Sequence, residues 1–361
     1  MTATPRLPRP PRARSAVVRG VVVLALGAVV TLGACSSGGS PSPTVTPSST
    51  ADKGAPPQPA VPSAWPLTGV PSDDVAARPA LAVKIENAPE ARPQTGLEDA
   101  DLVWEEVVEG GITRFVAVYH SQVPKAVEPV RSVRPMDPDV VAPLGGILAY
   151  SGGQTPFITA VEKSGTQSVI MDRGDAGFSR DPDRAAPHNV VGDPKAFLDQ
   201  ADGDRTVPPP AQFRYAGEAG AGTAGTDGKK AATVDVTLSP AQRSVWDWSG
   251  KEKQWQRSEG SRESVSSSGA RHAATNVLVL SVDVVKTKYK DPAGSPVPKT
   301  ELVGKGKGVL ASAGKTVPVR WSKKDQASLV ELTRDGEPVE LDPGSTWIEL
   351  VPKDSGSWKV S

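Results

Sequence analysis

Arginine side chains beside Pro and Gly turns are the residues of this sequence most suited to binding chemistry. Arg131 and Arg134 lie in the Pro-bounded segment 129–135, shortly after a predicted strand. Guanidinium groups present forked hydrogen-bond donors that match the oxygens of phosphate and carboxylate groups. Three more arginines beside turns are Arg92, Arg114 and Arg180. Together these side chains predict a pocket for an anionic ligand.

Other polar residues near the same turns complete the predicted site, because loops at strand ends commonly carry binding groups. The predicted ligand-binding residues are Asn87, Arg92, Gln94, Arg114, Arg131, Ser132, Arg134, Arg180 and Asn189. A structural alternative stays open, in which the arginines pair with Glu105 and Glu109 and brace the fold. The two alternatives differ in whether the guanidinium groups converge on one cleft.

His188 is the candidate for acid–base chemistry. It stands between Pro187 and Asn189 in a loop, and a histidine with an orienting neighbour can act as a general base. If the protein is an enzyme, the predicted catalytic residues are His188, Glu105 and Glu109. The sequence contains neither a Gly-x-Ser-x-Gly elbow nor a His-Glu-x-x-His pair, so the common hydrolase signatures are missing.

Acidic residues recur between positions 101 and 109, where the pattern fits either a helix or a strand. On a helix, Asp101, Glu105 and Glu109 would form a stripe able to hold a divalent cation. On a strand, the alternation of Val103, Glu105 and Val107 would place Glu106 on the opposite face. The sequence predicts no resident metal and no cofactor.

Strands that alternate with short helices indicate an α+β fold in the first part of the chain. We predict an N-terminal mixed α/β domain with a central sheet at 64–202, and a Gly-rich linker or insertion at 203–232. A mostly β domain at 233–361 follows and is expected to fold independently. Trp321 and Trp347 are predicted to be core residues, whereas an exposed tryptophan could stack on a sugar. The alternating glycines and lysines at 304–308 lack the spacing of a phosphate loop and predict a turn.

The N-terminus predicts the cellular location. Residues 1–34 contain five arginines, no acid and an apolar stretch of about a dozen residues, which is typical of a signal peptide. Cys35, the single cysteine, stands at the predicted cleavage position, where it would carry a lipid. Residues 35–63 are rich in Ser, Pro and Gly and predict a disordered tether. We therefore expect a lipid-anchored protein on the outer face of the cytoplasmic membrane.

The charge balance argues against nucleic acid as a partner. The chain has 41 basic and 41 acidic side chains, so the sequence without the five signal arginines has 36 basic ones against 41 acids. Nucleic-acid binding needs a basic surface. The expected partners are the membrane, through the lipid on Cys35, and an anionic envelope ligand.

The sequence closely resembles the YerB-like bacterial lipoproteins, a family of two modules of unknown function. The segments that carry the resemblance are 82–87, 91–97, 100–106, 109–115, 129–134, 187–189 and 344–352. The resemblance implies an envelope lipoprotein and supplies no activity. A shorter segment, Ala149 to Gly153 with the following helix, is similar to the LytR-CpsA-Psr enzymes, which hold lipid pyrophosphates with arginines.

Three functions are compatible with these patterns. The first is a membrane-anchored lipoprotein that binds an anionic or carbohydrate ligand through its N-terminal domain. The second is an enzyme acting on phosphate esters of envelope polymers, with His188 and the arginines in its site. The third is a protein-interaction scaffold at the membrane surface.

Overall fold

Strands dominate residues 64–361, the part of the chain that the computed structural model describes. The predicted signal peptide, the tether and Cys35 lie outside these residues. Up to residue 202 the strands are β1 Leu81–Glu86, β2 Leu102–Val107, β3 Thr113–Tyr119, β4 Ile147–Tyr150, β5 Gln167–Ile170, β6 Phe178–Arg180 and β7 Val190–Gly192. The helices there are α1 Asp137–Val141, α2 Thr155–Lys163 and α3 Pro194–Leu198. The predicted α+β class is confirmed.

The remaining residues form 16 strands of two to 15 residues and one helix. The helix is α4 Thr223–Asp227. The strands are β8 Arg214–Tyr215, β9 Lys229–Lys230, β10 Thr233–Ser239, β11 Gln242–Ser249, β12 Gln254–Glu259, β13 Arg262–Glu263, β14 Ala273–Ala274, β15 Asn276–Lys290, β16 Pro296–Glu301, β17 Gly304–Ser312, β18 Lys315–Lys323, β19 Glu331–Arg334, β20 Glu337–Pro338, β21 Glu340–Leu341, β22 Thr346–Pro352 and β23 Ser357–Val360. The predicted turn at 304–308 is wrong, because these residues pair with β18 throughout and form the first half of β17.

One mixed sheet of 13 strands passes through both parts of the described chain. Its order is β20-β19-β18-β17-β15-β22-β2-β3-β1-β4-β5, with β16 and β9 paired at the side. β22 lies between β2 and β15 and is parallel to both. The described residues belong to one compact unit. This shared sheet argues against independent folding of residues 233–361, because their strand β22 has a partner on each side.

Side-chain alternation gives the sheet two buried faces with different covers. On one face, Trp104 and Val116 pack with Val140 of α1 and Val161 of α2. On the other face, Phe115 packs in a core that β10, β11 and β12 cover; these strands belong to a second sheet of six strands, ordered β13-β12-β11-β10-β23 with β14 beside β12. Both faces are therefore shielded from water, and every residue of β1, β2 and β3 is buried.

Local sequence signals explain several boundaries. Asp193 caps α3 by accepting a hydrogen bond from the Ala196 amide at 3.1 Å. An Asp-Gly step between two strand-like runs, such as Asp335-Gly336, is a hairpin signal in the sequence. The two residues have φ values of 52° and 93° and form the tight turn between β19 and β20, so this signal is confirmed. No helix of residues 64–361 combines the length and the apolar character that a membrane crossing requires.

Candidate functional site

Charged residues meet at the ends of β1, β3 and β2, on the face of the sheet that carries the helices. Arg114 of β3 stands opposite Glu86 of β1 and Glu106 of β2 in the strand register. Residues directly opposite in neighbouring strands point to the same face. The sheet therefore brings one guanidinium and two carboxyl groups into a single row.

The Pro-bounded segment adds Arg131 to this row by pairing with the end of β1, beyond the residues that pair with β4. The Arg131 amide donates to the Lys84 carbonyl at 2.8 Å, and the Glu86 amide donates to the Pro129 carbonyl at 3.0 Å. The Arg131 side chain reaches the Glu86 carboxylate, with Nε 3.1 Å from Oε1. His188 Nδ1 lies 2.9 Å from the other oxygen of the same carboxylate. Glu86 thus orients both side chains.

Arg134 joins the group from the next turn. Its Nε lies 2.7 Å from Oε1 of Glu109, and its amide donates to Asp137 Oδ2 at 2.6 Å. Arg114 Nη1 donates to the Ser132 carbonyl at 2.5 Å. Arg114, Arg131 and Arg134, which we call the arginine cluster, therefore lie together, whereas the predicted pocket also included Arg92 and Arg180. The acids beside the cluster are Glu86 and Glu109, whereas the structural alternative named Glu105 and Glu109.

The arginine cluster carries more positive than negative charge. Three guanidinium groups face the carboxylates of Glu86 and Glu109. Burial, together with the neighbouring charges of Arg134 and Arg131, lowers the pKa of Arg114 to about 9, although Glu109 and Glu86 oppose this shift. A positive charge that is buried among others of the same sign is costly, and an anion brought beside it would reduce that cost.

A buried triad lies next to the arginine cluster. Lys84, Glu106 and Asp137 have fully buried side chains, and Lys84 Nζ donates to Asp137 Oδ1 at 2.8 Å and to Glu106 Oε1. One ammonium balances only one carboxylate. Burial and the charge of Asp137 accordingly raise the pKa of Glu106 to about 8, so at neutral pH this carboxyl group retains its proton.

We expect the Glu106 proton to make stability depend on pH. The folded protein holds it up to about pH 8, whereas the unfolded chain releases it near pH 4.5. Between these values the folded state binds more protons, so the free energy of unfolding falls as pH rises and levels off above about pH 8. Glu106→Gln keeps the shape of the side chain but replaces the carboxyl group with an amide that does not titrate. Urea unfolding at several pH values should show a shallower decline for this variant; equal slopes would contradict the assignment.

A second buried network occupies the opposite face of the sheet. The fully buried Arg257 of β12 lies 2.7 Å from Glu105 Oε2 and also contacts Glu259. Its guanidinium carbon is 4.8 Å from the ring centroid of Trp347. Although burial opposes it, the carboxylates of Glu105 and Glu259 raise the pKa of Arg257. The Arg257 network therefore ties β2 to the covering six-stranded sheet by charge.

Three predicted ligand-binding residues contribute to this network instead of the arginine cluster. Asn87 donates to Thr113 at 2.8 Å and accepts from Arg92 Nε at 3.0 Å and from Gln94 at 3.0 Å. Arg92 Nη2 also reaches Glu259 at 3.2 Å. These contacts join parts of the fold and leave Arg92 on the face opposite Arg114.

Two family models match this chain in succession. Residues 67–207 match "Protein of unknown function (DUF3048) N-terminal domain", and residues 234–348 match "Protein of unknown function (DUF3048) C-terminal domain". The chain belongs to the DUF3048 family. The resemblance that its sequence motifs carry is thereby confirmed.

A relative of this DUF3048 protein is "Putative lipoprotein YerB" of Bacillus subtilis (strain 168). The two are 27% identical over 300 residues, which cover 80% of this chain and 86% of YerB. The crystal structure of YerB protein from Bacillus subtilis matches with a TM-score of 0.69 at 24% identity, covering 82% of this chain and 99% of the solved one. The shared fold therefore includes both parts of the molecule.

Other predicted residues of the DUF3048 protein stand apart from the arginine cluster. Arg180 Nη1 donates to Asn189 Oδ1 at 2.7 Å in the β6–β7 hairpin. The acidic stripe at 101–109 does not form, because β2 is a strand and Glu109 follows it in a separate turn. Asp101 instead accepts hydrogen bonds from the amides of His120 and Ser121. Within residues 64–361, no three His, Cys, Asp or Glu side chains are grouped as a metal site would require.

The most informative residues that the sequence interpretation missed are buried charges. Lys84 and Glu86 stand in the otherwise apolar run of β1, and both are buried. A charged residue inside an apolar strand covered on both faces must find a partner, since isolated buried charge is costly. That signal was available at Lys84. At Arg257 it was absent, because the polar alternation of β12 resembles that of a surface strand.

Proposed function

We propose that this protein binds an anionic ligand at the arginine cluster. The observation that carries the proposal is the convergence of Arg114, Arg131 and Arg134 on one face beside the carboxylates of Glu86 and Glu109. The adjacent carboxyl groups of Glu106 and Asp137 are paired with Lys84. An anionic group that contacts the partly exposed Arg131 and Arg134 would reduce the repulsion among the three guanidinium groups. Glu86 and Glu109 hold the arginine heads in place, which lowers the entropic cost of binding.

Partial exposure of the cluster supports access by a ligand. The Arg131 and His188 side chains are each 23% exposed, and that of Arg134 is 12% exposed. Ser132 adds a hydroxyl group, 3.3 Å from that of Ser151. The supported ligand is therefore one whose charged group, a phosphate or a carboxylate, touches the cluster from outside. A carbohydrate that carries such a group fits the same description.

The test is the double variant Arg131→Lys/Arg134→Lys, which keeps the charge and removes the forked geometry. Each lost charge-assisted hydrogen bond should weaken binding by about 1.5–3 kcal/mol. Titrations with phosphate, pyrophosphate and anionic wall polymers measure this, beside thermal unfolding. Arg173→Lys is the matched control, because Arg173 pairs with Glu162 on the exposed surface. If the double variant loses much stability and the parent protein binds no anion, the arginines are structural, and this result would favour the protein-interaction scaffold over the anion-binding function.

A second candidate function, hydrolysis of phosphate esters, is supported by the contact between His188 and Glu86. A carboxylate 2.9 Å from Nδ1 favours the proton on that nitrogen and leaves Nε2 as the base. Turnover of a phosphodiester by the parent protein, lost in His188→Asn, would establish this function over simple binding.

We also propose that the protein is lipid-anchored on the outer face of the cytoplasmic membrane. The support is the signal-like residues 1–34 followed by Cys35, together with the relative whose printed name describes a lipoprotein. Several acyl chains hold a protein to a bilayer far better than one.

Cys35→Ala is therefore expected to abolish lipid attachment. The chain has a single cysteine, so no other thiol can take the lipid. Labelling with radioactive palmitate and fractionation of the cells measure the effect, and the variant should be unlabelled. It should appear in the soluble fraction or as an uncleaved precursor. Membrane retention of a cleaved variant would contradict the anchor.

A further inference from the structure

A basic cleft with a tryptophan wall lies beside β17, on a part of the molecule that the arginine cluster does not reach. The cleft has a volume of about 370 Å³, and its lining includes Lys305, Lys307, Lys353, Asp283 and Trp358. That volume falls in the range of small-molecule sites, roughly 300–1,000 Å³. None of the three cluster arginines is among the lining residues.

The alternating glycines and lysines of β17 build one wall of this cleft. Lys305 and Lys307 are two residues apart on a strand and so share a face. Gly306 points the other way, and a Cβ there would lie 2.5 Å from the Ser281 carbonyl oxygen. Only glycine permits this close approach to the neighbouring strand. The pattern that the sequence interpretation assigned to a turn thus presents two ammonium groups side by side.

The charges of the cleft are not balanced. Lys353 Nζ lies 3.2 Å from Asp283 Oδ1, at an exposed position. Neither Lys305 nor Lys307 has a carboxylate partner among residues 64–361, and Lys307 Nζ is 5.6 Å from the ring centroid of Trp358. Three lysines therefore face a single aspartate. An anionic group in the cleft would complete the balance.

Trp358 gives the cleft an apolar wall in a fixed position. Its strand β23 pairs with β10, with Trp358 opposite Val236. The ring is half-buried and so presents part of its surface to the cleft. A flat aromatic surface beside ammonium groups suits a ligand that has both an apolar face and a negative charge. A pyranose ring presents C–H groups on its faces, and a uronic acid or a sugar phosphate adds the charge.

We propose that this cleft binds an acidic saccharide, with a sugar ring against Trp358 and its carboxylate or phosphate group between Lys305 and Lys353. Lys307 turns from the tryptophan ring toward the same anion. The proposal is independent of the anion site at the arginine cluster, since the two share no residue.

Isothermal titration calorimetry on the full chain tests the proposal, with tetragalacturonate as the acidic saccharide and maltotetraose as the neutral one. The parent should bind tetragalacturonate and bind maltotetraose far more weakly. Lys305→Ser should weaken binding by about tenfold, the effect of one lost charge-assisted contact. Lys359→Ser is the matched control, because Lys359 of β23 is exposed, as Lys305 is, but does not line the cleft.

Two further variants separate a saccharide site from a merely basic surface. Trp358→Ala should weaken tetragalacturonate binding by about tenfold, whereas Trp358→Phe should retain most of it. Circular dichroism checks that both variants fold. If Trp358→Ala does not fold, the effect of Lys305→Ser on binding still decides the test. The proposal would be overturned if inorganic polyphosphate bound as tightly as tetragalacturonate and Trp358→Ala had no effect on binding. Tighter binding of anionic vesicles or a single-stranded oligonucleotide through Lys305 would also overturn it.

Discussion

Replacement of Arg257 by alanine is expected to lower the free energy of unfolding by about 3–5 kcal/mol, the usual cost of breaking a buried ion pair. The guanidinium group is fully buried, 2.7 Å from Glu105 and close to the ring of Trp347. Without it, the carboxyl groups of Glu105 and Glu259 remain in an apolar core. Burial and the charge of Glu105 already raise the pKa of the neighbouring Glu349 well above its usual value, so the core has no spare positive charge.

Arg243→Ala is the matched control for Arg257→Ala. Arg243 also pairs with an acid inside the six-stranded sheet, at 2.6 Å from Asp235, but half of its side chain is exposed. Such pairs contribute about 0–1 kcal/mol. Urea unfolding of both variants measures the difference. Equal, small losses would show that Arg257 is not a structural cation. Recovery in a variant that also carries Glu105→Gln would confirm that an unpaired carboxylate causes the loss.

The fragment 234–361 is expected to show no cooperative thermal unfolding when it is produced alone. Separation from β2 turns β22 into an edge strand with unpaired backbone groups. It also removes Glu105 from Arg257 and uncovers the ring of Trp347, which packs against Phe115 at 5.2 Å between centroids. This outcome is the reverse of the one that the composition of the fragment predicts.

Recombination of two fragments provides the control for this experiment. Residues 64–233 and 234–361, mixed in equal amounts, should recover a cooperative transition that neither shows alone, because together they restore the 13-stranded sheet. Calorimetry measures the transition. A sharp transition in the isolated second fragment would show that its two sheets suffice as a core, as the sequence pattern suggests.

Apolar patterning was sufficient to locate most strands. The apolar runs of β1 and β3, and the hairpin signal at Asp335 and Gly336, lead to the observed elements. Trp321 and Trp347 are buried as predicted. The ambiguous segment at 101–109 is a strand because it gains partners on both edges, β3 and β22. Such partners are distant in sequence, so local patterning cannot decide between helix and strand there.

The residues of the candidate site were predicted only in part, because local patterning does not show which distant strands and loops meet. Arg114, Arg131 and Arg134 converge because each stands beside a strand end of one sheet, which their turns indicate. Arg92 was assigned to the same group but lies across the sheet, because Asn87 and Gln94 hold it toward β11 and β12. Which face a loop residue reaches depends on how the chain crosses the sheet edge, and that information is not local.

The position of β22 between β2 and β15 has a consequence for biosynthesis. A ribosome completes β2 long before it adds Thr346–Pro352, so the sheet stays open at its centre until nearly all described strands exist. Closing so distant a pair is slow, and the waiting edges of β2 and β15 are exposed to other chains. A nascent chain of this kind must be kept from aggregating and cannot finish folding piece by piece as it emerges. The delay would also keep the chain unfolded for longer, and export to the membrane location proposed above would require an unfolded chain.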